Sequence, residues 1–162
     1  MKHLWAAWRM KYISKAEADE GCVFCNALAR PDNADNLIVA RGAGAFLILN
    51  KYPYTSGHVM IVPYQHADSL ELLDAPTRAE MMELVSRAIE VLRAAYTPQG
   101  FNVGINIGAA AGAGVPGHVH IHIVPRWGGD TNFMSTVGGV RVLPEELEQT
   151  YQRIKAGWEK GF

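Results

Sequence analysis

The sequence predicts a single α+β domain built on a mainly antiparallel sheet. Five short segments show the alternating or continuously apolar pattern of β-strands, and two longer segments carry the apolar stripe of a helix. Most strand segments follow one another through short, turn-rich connections, which favours antiparallel pairing because parallel neighbours need long crossovers. The predicted strands are 36–40, 45–49, 59–62, 101–107 and 118–125.

The two predicted helices differ in length and position. Asp74 and Pro76 are typical of a helix start, and Pro98 with Gly100 ends the long helix that follows. A C-terminal helix is predicted at 141–160. The buried stripe of the long helix is predicted to comprise Met81, Val85, Ala88, Ile89 and Leu92.

Length and composition indicate one ordinary globular domain. The chain has 162 residues, and domains commonly hold about 100–200. We divide 1–162 into an N-terminal extension at 1–35, a core at 36–134 and the C-terminal helix at 141–160. A formal net charge of −1 provides no overall attraction for nucleic acid or an acidic membrane, so neither partner is expected.

The sequence also indicates a compartment. No apolar run reaches the roughly 18 residues that a membrane span requires. Residues 1–21 carry charges throughout and lack the apolar stretch of a signal peptide. Two cysteines are too few for a disulfide framework. We therefore expect a protein of the reducing cytoplasm.

Three histidines, His118, His120 and His122, alternate with apolar residues in the last predicted strand. Because side chains alternate along a strand, the three imidazoles are predicted to share one face. Such a row fits a solvated surface, a catalytic metal site or a nucleophilic site. No Asp or Glu lies between residues 100 and 129 to complete a metal site. Imidazole is available in its neutral form near pH 7 and can attack phosphorus or an acyl carbon.

A glycine-rich loop at 108–117 directly precedes the histidines. Its glycines, among them Gly112 and Gly114, allow backbone N–H groups to approach an anionic oxygen closely. Alone, such a loop indicates only a tight turn. Followed at once by an imidazole row, it predicts a phosphate-binding loop.

Cys22 and Cys25 form a Cys-x-x-Cys pair, which is typical of a metal site, a redox site or two buried thiols. No βαβ pattern surrounds the pair, which argues against a thioredoxin-like role. His66 and His118 are available as further ligands. Two cysteines and two histidines make a closed tetrahedral set that suits structural zinc.

The segment 118–124, HVHIHIV, resembles the signature of the histidine triad superfamily of nucleotide hydrolases and transferases. The segment 46–62 is similar to the strand-loop-strand unit of that superfamily. The segments 4–13 and 125–133 resemble its bacterial diadenosine tetraphosphate phosphorylase, or fragile histidine triad-like, branch. The resemblance implies a five-stranded sheet with one long helix and a C-terminal helix.

The resemblance implies a role for each matching residue. His120 is the nucleophile that attacks the α-phosphorus of a nucleotide, and His122 hydrogen-bonds a phosphate oxygen. Asn50 binds the ribose, and Asn106 meets the phosphate or the nucleophile. His58 is expected to hydrogen-bond toward the triad. The zinc ligands that the resemblance implies are Cys22, Cys25, His66 and His118.

The implied activity is cleavage of dinucleoside polyphosphates through a covalent nucleotidyl-histidine, which inorganic phosphate or water resolves. Two alternatives stay open: a nucleoside phosphoramidase or adenylyl hydrolase, and a catalytically weak nucleotide-binding module. Relatives carry a polar Gln, Ser or Thr before the triad, whereas 113–117 here offers backbone donors only. Because relatives dimerise, we expect a homodimer. No organic cofactor is implied.

Overall fold

The computed structural model describes residues 21–130 and 144–161. Three stretches that the sequence analysis used lie outside the described residues: 4–13, 131–133 and the beginning of the C-terminal helix at 141–143. The division of the chain into an extension, a core and a C-terminal helix stays a prediction.

Strands follow one another in runs that are separated by helices along the described chain, as the predicted α+β class requires. No helix among these residues is long and apolar enough to cross a membrane. Short 3₁₀ turns occur at Leu70–Leu72 and Ala109–Ala111. In chain order the main elements are α1 (Val23–Leu28), β1 (Ile38–Arg41), β2 (Ala45–Leu49), β3 (Val59–Pro63), α2 (Ala75–Tyr96), β4 (Gly100–Ile105), β5 (Ile121–Arg126) and α3 (Leu147–Lys160).

Within the described residues, five strands form one sheet in the order β1-β2-β3-β5-β4. Every neighbouring pair is antiparallel, so the predicted α+β class with a mainly antiparallel sheet is confirmed. Strands β1, β2 and β3 are consecutive in the chain. Strand β5 lies between β3 and β4, which brings the end of the histidine segment into the interior of the sheet.

Helix α2 has the predicted start and a slightly different buried face. The Asp74 carboxylate accepts a hydrogen bond from the Thr77 N–H at 2.8 Å, a normal N-cap contact. The predicted Ile89 is only half-buried, and Val91 is buried in its place. A methyl group of Val91 lies 3.0 Å from where a Cβ of Gly157 would stand. Helix α3 therefore covers the side of the stripe on which Val91 lies.

Helices α2 and α3 contact each other and the strands of the sheet. In α2, the Glu80 carboxylate accepts from the N–H groups of Ala43 and Gly44, both at 2.6 Å, which fixes the turn between β1 and β2. In β5, Ile121 and Ile123 belong to the core. Because strand side chains alternate, His122 points to the opposite face.

Candidate active site and metal centre

The structure places His118, His120 and His122 on a segment that leads into β5. The strand begins at Ile121, so the predicted start at residue 118 is three residues early. The reason is that the N–H of the residue after His118 donates to the Ala67 carbonyl, at 2.7 Å, beyond the end of β3. His118 is 0% exposed and His120 is 3% exposed, which rules out a solvated histidine surface.

The backbone holds His120 in one tautomer. Its Nδ1 lies 2.8 Å from the carbonyl oxygen of His118, and a carbonyl oxygen can only accept, so Nδ1 carries the hydrogen. The lone pair is therefore on Nε2. Burial lowers the pKa of His120 below its ordinary value, which favours the neutral ring near pH 7. A neutral imidazole with its lone pair on Nε2 can act as a nucleophile.

His58, which is fully buried, orients His122 in the same way. The backbone N–H of Tyr54 donates to Nδ1 of His58 at 3.1 Å, which leaves the His58 hydrogen on Nε2. That Nε2 lies 3.0 Å from Nδ1 of His122, so His122 accepts there and carries its own hydrogen on Nε2. The expectation that His58 hydrogen-bonds toward the triad is confirmed.

His122 stays neutral and offers an N–H donor beside the nucleophile. Burial, and to a lesser degree the nearby ring of His120, lowers the pKa of His122 to about 4. The rings of His120 and His122 lie edge to face with centroids 4.7 Å apart. The pair therefore combines one nitrogen lone pair and one N–H group on neighbouring rings, which suits attack on an atom that carries a negatively charged oxygen.

Two asparagines flank the histidines. The Asn50 Oδ1 accepts from the Tyr52 N–H at 2.9 Å, and its Nδ2 lies 3.4 Å from Nε2 of His58. Asn106 directly follows β4, whose Ile105 is paired with Ile121 of β5. Asn106 and His120 are thus the residues next to the last pair of this ladder. Both side chains are half-buried.

Some backbone N–H groups of the glycine-rich loop form hydrogen bonds within the loop itself. Gly108 and Gly112 have φ values of 79° and 85°, which favour glycine because a side chain is strained there. The N–H groups of Gly112 and Ala113 donate to carbonyl oxygens within the loop. No backbone carbonyl of the described residues accepts from the Gly114 N–H. Gly114 is therefore a better candidate anion donor than Gly112.

Four side chains from three parts of the chain meet beside the histidine segment. The possible ligand atoms of Cys22, Cys25, His66 and His118 all lie within 4.8 Å of one another. Cys22 Sγ is 3.3 Å from Nδ1 of His118, and Cys25 Sγ is 3.4 Å from Nδ1 of His66. These are the four residues that the sequence analysis combined into a zinc site.

The donor set fits tetrahedral zinc. Zinc–sulfur bonds of about 2.3 Å and zinc–nitrogen bonds of about 2.0–2.1 Å at tetrahedral angles separate the two ligand atoms by about 3.6 Å. Three of the four sulfur–nitrogen distances here are 3.3, 3.4 and 3.8 Å, and the fourth is within 4.8 Å. Nε2 of His118 lies 2.9 Å from the Pro63 carbonyl oxygen and donates to it, so the Nδ1 lone pair faces the thiols.

Two residues of the site were not predicted from the sequence. Phe24 lies between the two cysteines, is 4% exposed and contacts the ring of His120 with centroids 5.0 Å apart. Tyr54 stacks beside His122 and supplies the N–H that fixes His58. The one available signal for Phe24 was its place inside the Cys-x-x-Cys pair.

Comparison with known proteins identifies the family. The HIT domain model matches residues 32–129. The chain is 37% identical to the AP-4-A phosphorylase of Mycobacterium tuberculosis (strain ATCC 25618 / H37Rv), covering 99% of this chain and 86% of that protein. It is also 31% identical to an uncharacterized HIT-like protein of Methanocaldococcus jannaschii, covering 83% of this chain and 98% of that protein. The chain therefore belongs to the HIT domain family, as its resemblance to the histidine triad superfamily implied.

Solved structures agree with this assignment. A Zn-bound histidine triad family protein from Mycobacterium smegmatis has a TM-score of 0.69 and 26% identity, covering 86% of this chain and 94% of its own. A hypothetical histidine triad nucleotide-binding protein from Sulfolobus tokodaii has a TM-score of 0.69 and 28% identity, covering 86% and 93%. The fold of the described residues is thus that of the family.

Proposed function

We propose that this protein cleaves dinucleoside polyphosphates of the diadenosine tetraphosphate type through a covalent nucleotidyl-histidine at His120. The observation that carries the proposal is the tautomer of His120, because the contact at Nδ1 leaves the lone pair on Nε2. The similarity to a mycobacterial AP-4-A phosphorylase over 99% of the chain supports the substrate class.

In the first step of this mechanism, Nε2 of His120 attacks the α-phosphorus. A phosphorus–nitrogen bond forms, and the bond from phosphorus to the bridging oxygen breaks. The second nucleotide leaves with the electron pair as a phosphate anion. His122 donates its Nε2–H to a non-bridging oxygen, where negative charge develops, and the Gly114 N–H is a second donor. Asn50 binds the ribose, and Asn106 positions the phosphate.

In the second step, an oxygen of inorganic phosphate or of water attacks the same phosphorus. The phosphorus–nitrogen bond breaks and His120 is restored. Phosphate yields a nucleoside diphosphate, and water yields a monophosphate. We favour phosphate because the mycobacterial relative is named a phosphorylase. Nucleoside phosphoramidase or adenylyl hydrolase activity is the second candidate, since 113–117 carries no hydroxyl or amide side chain for the leaving group.

The proposed zinc has a structural role. Cys22, Cys25, His66 and His118 would fill all four positions of a tetrahedral ion and leave none open for substrate. The ion would join α1, the segment after β3 and the histidine segment. His118 would thus bind the metal through Nδ1, while its carbonyl oxygen fixes the tautomer of His120.

Product analysis tests the proposed reaction. Purified protein is incubated with diadenosine tetraphosphate, with and without inorganic phosphate, and the nucleotides are separated by ion exchange. ADP and ATP that appear only with phosphate establish the phosphorylase, whereas AMP and ATP in either buffer establish a hydrolase. No cleavage in either buffer contradicts the proposal. Parallel assays with a nucleoside phosphoramidate and of AMP binding then separate the two alternatives.

Replacement of His58 by leucine is expected to lower kcat about tenfold with a small change in KM. The substitution removes the Nε2–H group of His58 that donates to Nδ1 of His122. The hydrogen of His122 is then no longer restricted to Nε2. One lost hydrogen bond of about 1.4 kcal/mol in the transition state corresponds to that factor. Steady-state kinetics measure it, with Leu49→Ala as a core control. An unchanged kcat in His58→Leu would remove the orienting role.

We further propose that two copies of the chain pair through β4. This strand has one neighbour in the sheet of the described residues, and its Val103 is 44% exposed, as is the nearby Ile107. An edge strand with apolar side chains is a template for pairing with a second copy. Sedimentation velocity at micromolar concentration tests this, and a monomer there contradicts it.

A further inference from the structure

Phe24 connects the metal-binding cysteines with the candidate nucleophile. It lies between Cys22 and Cys25 in α1, and its side chain is 4% exposed. Its ring meets that of His118 edge to face, with centroids 5.4 Å apart. It also packs against the ring of His120 at 5.0 Å, with an angle of 57° between the planes. One apolar side chain thus contacts both a proposed zinc ligand and the proposed nucleophile.

The ring of His120 is held at three places. Its Nδ1 is fixed by the carbonyl oxygen of His118. The ring of His122 lies against it with centroids 4.7 Å apart, and Phe24 packs against it as well. A hydrogen bond at one atom leaves an imidazole able to tilt about that contact. The packing of Phe24 restricts this tilt and thereby sets the direction of the Nε2 lone pair.

Helix α1 cannot place Phe24 without help. It has six residues, and a helix this short is not stable alone. No side chain caps its N-terminus, because the N-cap is Cys22 itself. Among the described residues, the cysteine–histidine cluster attaches the start of the helix, and the Asn36 side chain, whose Nδ2 donates to the Ala27 carbonyl oxygen at 2.9 Å, attaches its end. Any contact that fixes the positions of Cys22 and Cys25 therefore also restricts the position of Phe24 between them.

We propose that Phe24 is a positioning residue that transmits the order of the metal centre to the nucleophile. Bound zinc fixes α1, α1 fixes the Phe24 ring, and that ring holds Nε2 of His120 in line with the α-phosphorus. The inference rests on the proposed function. Misplacement of a reacting group by about 1 Å costs about 100-fold in rate, so a side chain with no reactive atom can have a large kinetic effect.

The test compares two substitutions of the same kind. Phe24→Leu removes the flat ring against His120 and keeps an apolar side chain. Phe46→Leu is the matched control, because Phe46 is 0% exposed in β2 and its ring stacks on Tyr64 rather than on a described histidine. We expect Phe24→Leu to lower kcat at least about tenfold with KM within about twofold. Zinc content stays at the wild-type level, and Phe46→Leu keeps its kcat.

Metal removal supplies the second arm. Chelation is expected to lower kcat of the wild-type and Phe46→Leu proteins by the same factor. In Phe24→Leu the factor is smaller, because the link is already broken, and the non-additivity measures the coupling. The proposal would be overturned if Phe24→Leu kept the wild-type kcat. Equal losses of kcat on chelation in Phe24→Leu and Phe46→Leu would also overturn it.

A spectroscopic arm separates this inference from the proposed function. Long-range proton–nitrogen spectra of the substrate-free protein report the tautomer and environment of His120. We expect one Nδ1–H tautomer in wild type and in Phe46→Leu, and shifted or averaged ring signals in Phe24→Leu. If wild type cleaves no dinucleotide, the proposed function fails while these spectra still decide the positioning role. Unchanged His120 signals in Phe24→Leu would refute it.

Discussion

Replacement of His120 by asparagine is expected to lower the rate of diadenosine tetraphosphate cleavage at least about 1,000-fold. The asparagine amide can still donate to the His118 carbonyl oxygen, so the segment before β5 keeps its attachment. It has no nitrogen lone pair to place on phosphorus, and the covalent route is closed. The loss corresponds to about 4 kcal/mol in the activation free energy.

Single-turnover quenching in alkali measures this effect directly, because a phosphorus–nitrogen bond on histidine survives alkali and is lost in acid. Wild-type protein is expected to carry radiolabelled nucleotide, and His120→Asn none. The comparison variant is His122→Asn, which keeps the nucleophile and loses only a donor, so it should still carry label at a rate about 100-fold lower. Both variants should have the same melting temperature as the wild-type protein. Label on folded His120→Asn would disprove the nucleophile assignment.

The local sequence pattern is enough to predict a strand or helix when all of its residues lie in the same kind of environment. The predicted strand at 45–49 coincides with β2 because all five of its residues are buried and turns bound it on both sides. The predicted start of the last strand fails for the opposite reason. The N–H of Val119 pairs with Ala67, which is remote in the chain, and no periodicity in 118–125 reports that contact.

The residues of the candidate site likewise fall into those that the sequence could indicate and those that it could not. Candidate metal ligands could be proposed from the sequence because only a few side chains bind zinc, and the family resemblance selected His66 and His118 among the histidines. Phe24 could not, since an apolar residue between two cysteines gives no sign of what it packs against. Tyr54 acts on His58 through its backbone N–H, which almost any residue supplies. Contacts made by common groups become visible only in the fold.

The cysteine–histidine cluster predicts a large effect of metal on stability. Zinc would join α1 to the segment after β3 and to the histidine segment, three parts of the chain that local sequence does not connect. A ligand that binds only the folded state, at about 1,000 times its Kd, adds about 4 kcal/mol to the free energy of unfolding. For a domain of this size that corresponds to a fall in Tm of about 8–16 °C when the metal is removed.

Elemental analysis and calorimetry test this prediction together. Protein purified in the presence of zinc should contain one ion per chain, and a chelator should lower its Tm by the stated amount. Cys25→Ser should melt at the lower temperature and respond no further to the chelator, because the site is already incomplete. Ser86→Ala, on the exposed side of α2, controls for a substitution without effect on the metal. If wild type and Cys25→Ser melt at the same temperature with and without chelator, the four residues hold no structural ion, and the packing of Phe24 together with the Asn36 hydrogen bond to Ala27 keeps α1 in place.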